Sequence, residues 1–237
     1  MIDDIFNGIS NYILFGLVLL IGKIFFKKDT SSYLINLDNR GWKLFGEGAL
    51  AGFILFLLYP IILLILGIGT FEVSWENLRN TIPVIFSGIF VYIAVALFEE
   101  TLFRGCIFLD LFRKYSFKIA IIVSSIFFGA LHFFSYSATA NFWIGLINAS
   151  IIGVLLCLIV MYTNSLMFPI GYHLAWNLTQ SLLLDRQEVF INFQFKESIL
   201  TGSKYTPEAG LIVTLILVLM YIYINKKFRP AKLEQDK

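Results

Sequence analysis

Charge is what this chain has least of: only 14% of its 237 residues are Asp, Glu, Lys or Arg, against 58% apolar. Soluble domains carry about 25% charged residues, so the chain has too few to cover a water-facing globule and is read as an integral membrane protein. No polar stretch between the apolar runs is long enough for a separate soluble catalytic domain, so any chemistry takes place in or beside the bilayer. Basic residues are scattered, with no stripe interleaved with aromatics, which sets nucleic acid aside as a partner. Cysteine is nearly absent. Cys106 and Cys157 stand far apart in apolar stretches with no CxxC spacing, so they read as small core hydrophobes. There is no HExxH, and with it goes the usual spacing argument for zinc.

What is present is a succession of apolar runs, at about 5–26, 44–67, 83–112, 118–138, 142–162, 166–184 and 209–225. At about 20 residues per spanning helix, seven spans use roughly 140 residues and leave the rest for loops and tails. The expected fold is all-α, a polytopic transmembrane bundle of about seven spans. Neither a repeat nor a linker divides it, so residues 1–237 form one domain. Asp3 and Asp4 lead the first run and Lys23, Lys27 and Lys28 follow it, the reverse of a cleaved secretory signal; the run is expected to be an anchor inserted N-terminus outward.

Basic residues test that topology, because cytoplasmic loops are enriched in them. Thirteen fall in the first loop, the third loop and the C-terminal tail, and four, Arg79, Arg186, Lys196 and Lys204, in the alternate connections. The alternation predicts an outward N-terminus and a cytoplasmic C-terminus. Only Arg104 belongs to neither set. The segment at about 185–208, with mixed charge and Gly202, is either a substrate-contacting loop or a plain connector.

Ionisable groups inside apolar helices cost at least about 2.5–3.5 kcal/mol each and mark polar, functional places. Here they are grouped. Glu100 and Arg104 stand four apart, on one helical face, and are expected to pair. Glu99 points about 100° away from Glu100 and is left for another task. The chain has two histidines, both in apolar runs: His132, and His173 with Asn177 one turn on. A single buried histidine would read as a satisfied core residue; two of two weaken that reading. At about 1.5 Å per residue from the expected cytoplasmic ends, Glu99 lies roughly 22 Å deep, His132 roughly 21 Å, and His173 and Asn177 roughly 12–18 Å. They share a layer.

Carboxylate and imidazole can deprotonate water, and imidazole with an amide NH₂ can donate to a developing oxyanion, so the set suits amide hydrolysis without a serine nucleophile. The same residue types permit a zinc site of His132, His173 and Glu99 with one position open to water. A transporter using the acidic pair as an ion path would leave the histidines and Asn177 without a coupled role.

The three elements Glu99-Glu100-x-x-x-Arg104-Gly105, Phe128-x-x-x-His132 and His173-x-x-x-Asn177, in this order on separate apolar runs, resemble the CPBP family of CAAX proteases and bacteriocin-processing enzymes, over about residues 80–225. The resemblance implies an intramembrane endopeptidase of the bacterial plasma membrane acting on a peptide or membrane-anchored protein. Glu99 and His132 would activate water, His173 and Asn177 would hold the oxyanion, and Glu100 with Arg104 would hold the helix. It implies no required cofactor, with zinc as the alternative. Non-catalytic immunity or scaffold roles also occur in such a family and form the second reading. The topology can be tested directly: reporters placed after Lys237 and near Lys114 should read as cytoplasmic and one near Lys196 as external, and a cytoplasmic signal at Lys196 would refute it.

Overall fold

The computed structural model describes residues 2–227 apart from 138, 140 and 187. Arg229, Lys232 and Lys237 of the basic tail lie outside the described residues. Helices cover each apolar run. The first are α1 (Ile2–Phe26), α2 (Asn39–Ile65) and α3 (Leu78–Glu100), which continues through a π-helical stretch, Thr101–Phe108, into α4 (Leu109–Lys114). Then come α5 (Phe117–Leu131), the short α6 (Phe133–Ser137), α7 (Phe142–Thr163) and α8 (Met167–Gln180), extended by π-helical Ser181–Asp185. The last, α9, is Leu211–Lys227. Among the described residues, four helices are long and apolar enough to cross a membrane: Asp3–Phe26, Asn39–Ile65, Trp75–Lys114 and Phe142–Thr163. The architecture is a helical membrane bundle.

Local chemistry sets the boundaries. Asp38 caps α2 by accepting from Gly41 N at 2.7 Å, and Ser116 caps α5 by accepting from Ile119 N at 3.4 Å. Asn164 ends α7 in the left-handed conformation, at φ 49°. The run expected at 118–138 is broken: α5 stops at Leu131, and His132 stands at its end. α7 is the central helix, and α1 lies outermost, with Phe6, Ile13 and Ile24 facing out where lipid would be.

One departure from the all-α expectation is a pair of antiparallel strands, β1 (Gly69–Val73) and β2 (Ile191–Phe195), aligned from Gly69 opposite Phe195 to Val73 opposite Ile191. Both carry aromatic and β-branched residues, and Phe71 meets Phe193 edge-on at 4.9 Å. The strands tie the connection after α2 to the one after α8. At that same end Arg186 pairs with Asp4 of α1 at 2.7 Å, and Asn141 Nδ2 donates to Ser198 O at 3.0 Å. The opposite end is closed by Lys28 with Asp110 at 2.6 Å, Leu166 N to Leu34 O at 2.9 Å, and Arg40 to Thr163 O at 2.8 Å. The connections therefore sort into two ends.

Helix α8 is held closely against α2. A Cβ on Gly48 or Gly52 would collide with the backbone carbonyl of Phe168 or Tyr172, and one on Gly171 with the carbonyl of Phe45. Small residues at such a crossing let two backbones approach, which matters where lipid offers no hydrophobic drive to pack helices. Replacing Gly52 with Leu should force the helices apart at a cost of about 1–3 kcal/mol, the usual range for overpacking. Gly46, on the same helix, faces open space, so Gly46→Leu should leave thermal unfolding in detergent unchanged while Gly52→Leu lowers it; equal midpoints would refute the close-packing argument.

Candidate active site

The acidic pair ends α3, where the backbone passes into the π-helical stretch. Such stretches are uncommon and recur at functional places. Glu100 and Arg104 are both fully buried, and Arg104 Nη1 donates to Glu100 Oε1 at 3.1 Å. The guanidinium also lies 4.1 Å from the centre of the Phe128 ring, a cation–π contact that accommodates its charge away from water. Ser124 Oγ donates to Phe103 O at 2.8 Å and fastens α5 to this stretch.

His173 joins the cluster from α8. Its Nδ1–H donates to Glu100 Oε1 at 2.9 Å, so one carboxylate oxygen serves both Arg104 and His173. The other ring nitrogen, Nε2, is 3.9 Å from Glu99 Oε2. Glu99 is slightly exposed, its side chain 13% accessible, and its buried Oε2 accepts no hydrogen bond from the described residues.

His132 comes from the end of α5. Its Nδ1 lies 3.0 Å from the Phe128 carbonyl, which can only accept, so Nδ1 carries a proton, and in the neutral ring Nε2 holds the lone pair. Its ring stacks on Tyr136 at 6.0 Å. His132, His173 and Asn177 all line one cavity of about 220 Å³, whose walls also include Phe128, Tyr172 and Trp176. Glu99, Glu100 and Arg104 are not on that wall. They lie behind His173, and Glu99 makes no hydrogen bond to His132 among the described residues.

The donor set bears on the zinc alternative. Among the described residues no three His, Cys, Asp or Glu side chains converge as ligands. Each histidine has one ring nitrogen engaged, His173 with Glu100 and His132 with a backbone carbonyl.

Two carboxylates on the cavity wall are not evident from the sequence. Glu208 sits in the turn Pro207–Ala209, is 9% exposed, and accepts from Trp176 Nε1 at 2.8 Å. Asn148 Nδ2 holds its backbone carbonyl at 2.6 Å. Burial pushes the Glu208 carboxyl up, with the Trp176 hydrogen bond working against it. Asp185, just past the end of the apolar run, is pushed up to about 7 by burial first and the Glu208 charge second. The one sequence signal for Glu208 is an acidic residue beside Pro207 immediately ahead of an apolar run. Its distance along the chain from the motifs hides the connection.

Residues 81–179 match a family model described as type II CAAX prenyl endopeptidase Rce1-like. That segment is similar to the CAAX protease family. All six polar residues singled out in the sequence fall within the matched segment, and Asp185 and Glu208 fall outside it. No curated protein and no solved structure matches the chain.

Removing Arg104 would leave the Glu100 charge in the interior with an imidazole as its only hydrogen-bond partner among the described residues. Breaking a buried pair in this way costs about 3–5 kcal/mol, so Arg104→Ala should markedly lower the thermal midpoint in detergent. Glu99→Gln, which breaks no hydrogen bond among the described residues, should unfold close to wild type. Equal stability of the two variants would contradict the division between a structural pair and an available carboxylate.

Proposed function

We propose that this chain, whose residues 81–179 match a CAAX prenyl endopeptidase family model, is a CAAX-protease-like intramembrane endopeptidase that hydrolyses a peptide bond of a membrane-associated peptide or protein by activating water. The observation that carries the reading is the meeting of His132, His173 and Asn177 on one cavity wall, with the unoccupied Oε2 of Glu99 beside His173. Glu99 and the Nε2 lone pair of His132 supply base capacity for the attacking water. Attack at the scissile carbonyl carbon makes its oxygen an oxyanion, which the Asn177 amide and a doubly protonated His173 stabilise by donating to it. The proton taken from water then passes to the departing amine as the C–N bond breaks. Glu100 and Arg104 act at one remove by fixing His173.

This route uses no metal, and it is favoured over zinc because Asn177 suits an oxyanion better than a cation and the donors do not converge. The seven-span arrangement, N-terminus out and C-terminus in, is supported by the sorting of connections into two ends. The cavity is walled by Asp185, Tyr205 and Glu208 from the end poor in basic residues, so substrate would enter from the external side of a bacterial plasma membrane.

Comparison of membrane peptidomes from cells carrying wild-type protein and Glu99→Ala should show a precursor that accumulates in the variant. Purified wild-type protein should cleave that precursor, and Glu99→Gln should lose at least about 100-fold in rate, the scale of general-base catalysis. Retained cleavage by Glu99→Gln would refute the mechanism, and the absence of any accumulating precursor would favour the non-catalytic immunity or scaffold role. In the same assay chelators should not slow cleavage. Stoichiometric zinc that tracks activity through removal and restoration would instead make His132, His173 and Glu99 ligands.

A further inference from the structure

The wall of the cavity opposite the α5 end has a chemistry that the hydrolytic reading leaves unused. Among the described residues lining the cavity there are two carboxylates, Asp185 and Glu208, and no lysine or arginine. The nearby cations are placed elsewhere: Arg186 is held by Asp4 at 2.7 Å and by Glu188 at 3.5 Å, and Lys204 is not part of the wall. Asp185 Oδ1 is buried without a hydrogen-bond partner among the described residues. Tyr172, 2% exposed, lines the same cavity, and its hydroxyl is likewise buried and unpartnered among them. Two separate polar groups thus await a partner in one place.

The remaining surface there is aromatic. Tyr92, Tyr136, Trp176 and Tyr205 line the cavity together with Tyr172. Aromatic faces carry negative quadrupole potential and attract organic cations, most strongly where water is excluded. Carboxylates set among such rings suit an ammonium or guanidinium group and disfavour an anion. The cavity, about 220 Å³, is smaller than the ~300–1,000 Å³ of sites for drug-sized ligands, and it has room for one side chain or chain end. Glu208 is fixed in orientation by Trp176, which directly precedes Asn177 in α8.

We propose that this wall is a subsite for an organic cation carried by the peptide substrate, seated between Asp185 and Glu208 and within a few residues of the scissile bond. The proposal rests on the endopeptidase reading for the identity of the ligand as part of a substrate. The cation is either a basic side chain or a free amino terminus. Both present the same charge to the carboxylates, and the Tyr172 hydroxyl accepts a hydrogen bond from either.

Binding can be read without cleavage, by tryptophan fluorescence and calorimetry on the purified full chain in detergent. The probes are Nα-acetyl-lysine methylamide, a side-chain cation with a blocked amino terminus; norleucine methylamide, a free amino terminus with a neutral side chain; Nα-acetyl-norleucine methylamide, neutral; and Nα-acetyl-glutamate methylamide, an anion. At least one cation should bind saturably and about tenfold more tightly than the neutral probe, and whichever binds better identifies the source. Asp185→Asn and Glu208→Gln, each nearly isosteric, should weaken the cation about tenfold and leave the neutral probe unchanged. If one variant fails to fold, the other and the wild-type probe comparison still decide. Equal binding of neutral, anionic and cationic probes, or wild-type affinity in a folded variant, would overturn the subsite. A protein that binds cations as described but cleaves nothing would count against the endopeptidase reading alone; cleavage without any cation preference would count against the subsite alone.

Discussion

A single carboxylate oxygen, Glu100 Oε1, receives hydrogen bonds from both Arg104 and His173 in the interior of an apolar bundle. Charges there are expensive to leave unmatched, so this junction constrains what surrounds it. Arg104 must remain within reach across the π-helical stretch, Phe128 must cover the guanidinium, and α8 must present His173 at one height against the end of α3. The glycine contacts between α2 and α8 set the depth at which α8 sits. Asn177, one turn beyond His173, is positioned by the same constraint. The groups that would touch substrate are thus oriented by a charged cluster that stands behind them.

The two ends of the bundle are built differently. One is closed by ion pairs and backbone hydrogen bonds among basic-rich connections, such as Lys28 with Asp110. The other is shaped by paired strands and a turn that brings Glu208 onto the cavity wall. Strand pairing is an economical way to order two long connections, because it satisfies their backbone groups without any help from lipid. The segment after α8 is accordingly more than a plain connector. It contributes β2, the Glu208 turn and Tyr205, and it forms part of the surface that faces the cavity.

The proposed mechanism would divide labour between groups of like type by environment. Glu99 and Glu100 are adjacent, yet Glu100 is fully enclosed and doubly hydrogen-bonded, whereas Glu99 retains some exposure and a buried oxygen with no partner among the described residues. The two histidines differ in the same manner. His132 donates Nδ1–H to a neutral carbonyl and leaves Nε2 facing away from that bond, while His173 is anchored to a carboxylate, which would suit it to carry charge toward an oxyanion.

The sequence by itself determined the membrane setting, the positions of the apolar runs, the pairing of Glu100 with Arg104 and the three motifs that resemble those of the CAAX protease family. These are local properties: hydropathy over a window, or neighbours one helical turn apart, set by the fixed geometry of the helix. The same 100° step per residue turns Glu99 away from Glu100, whatever the rest of the chain does. Only the tertiary structure decided that His173 bonds Glu100, that β1 and β2 pair, that Glu208 reaches Trp176, and that Asp185 joins it on the cavity wall. Those contacts link residues far apart in the chain, and no periodicity encodes them. They follow from how closely α8 approaches α2 and α3, and from the cost of leaving buried polar groups without partners once the helices have packed.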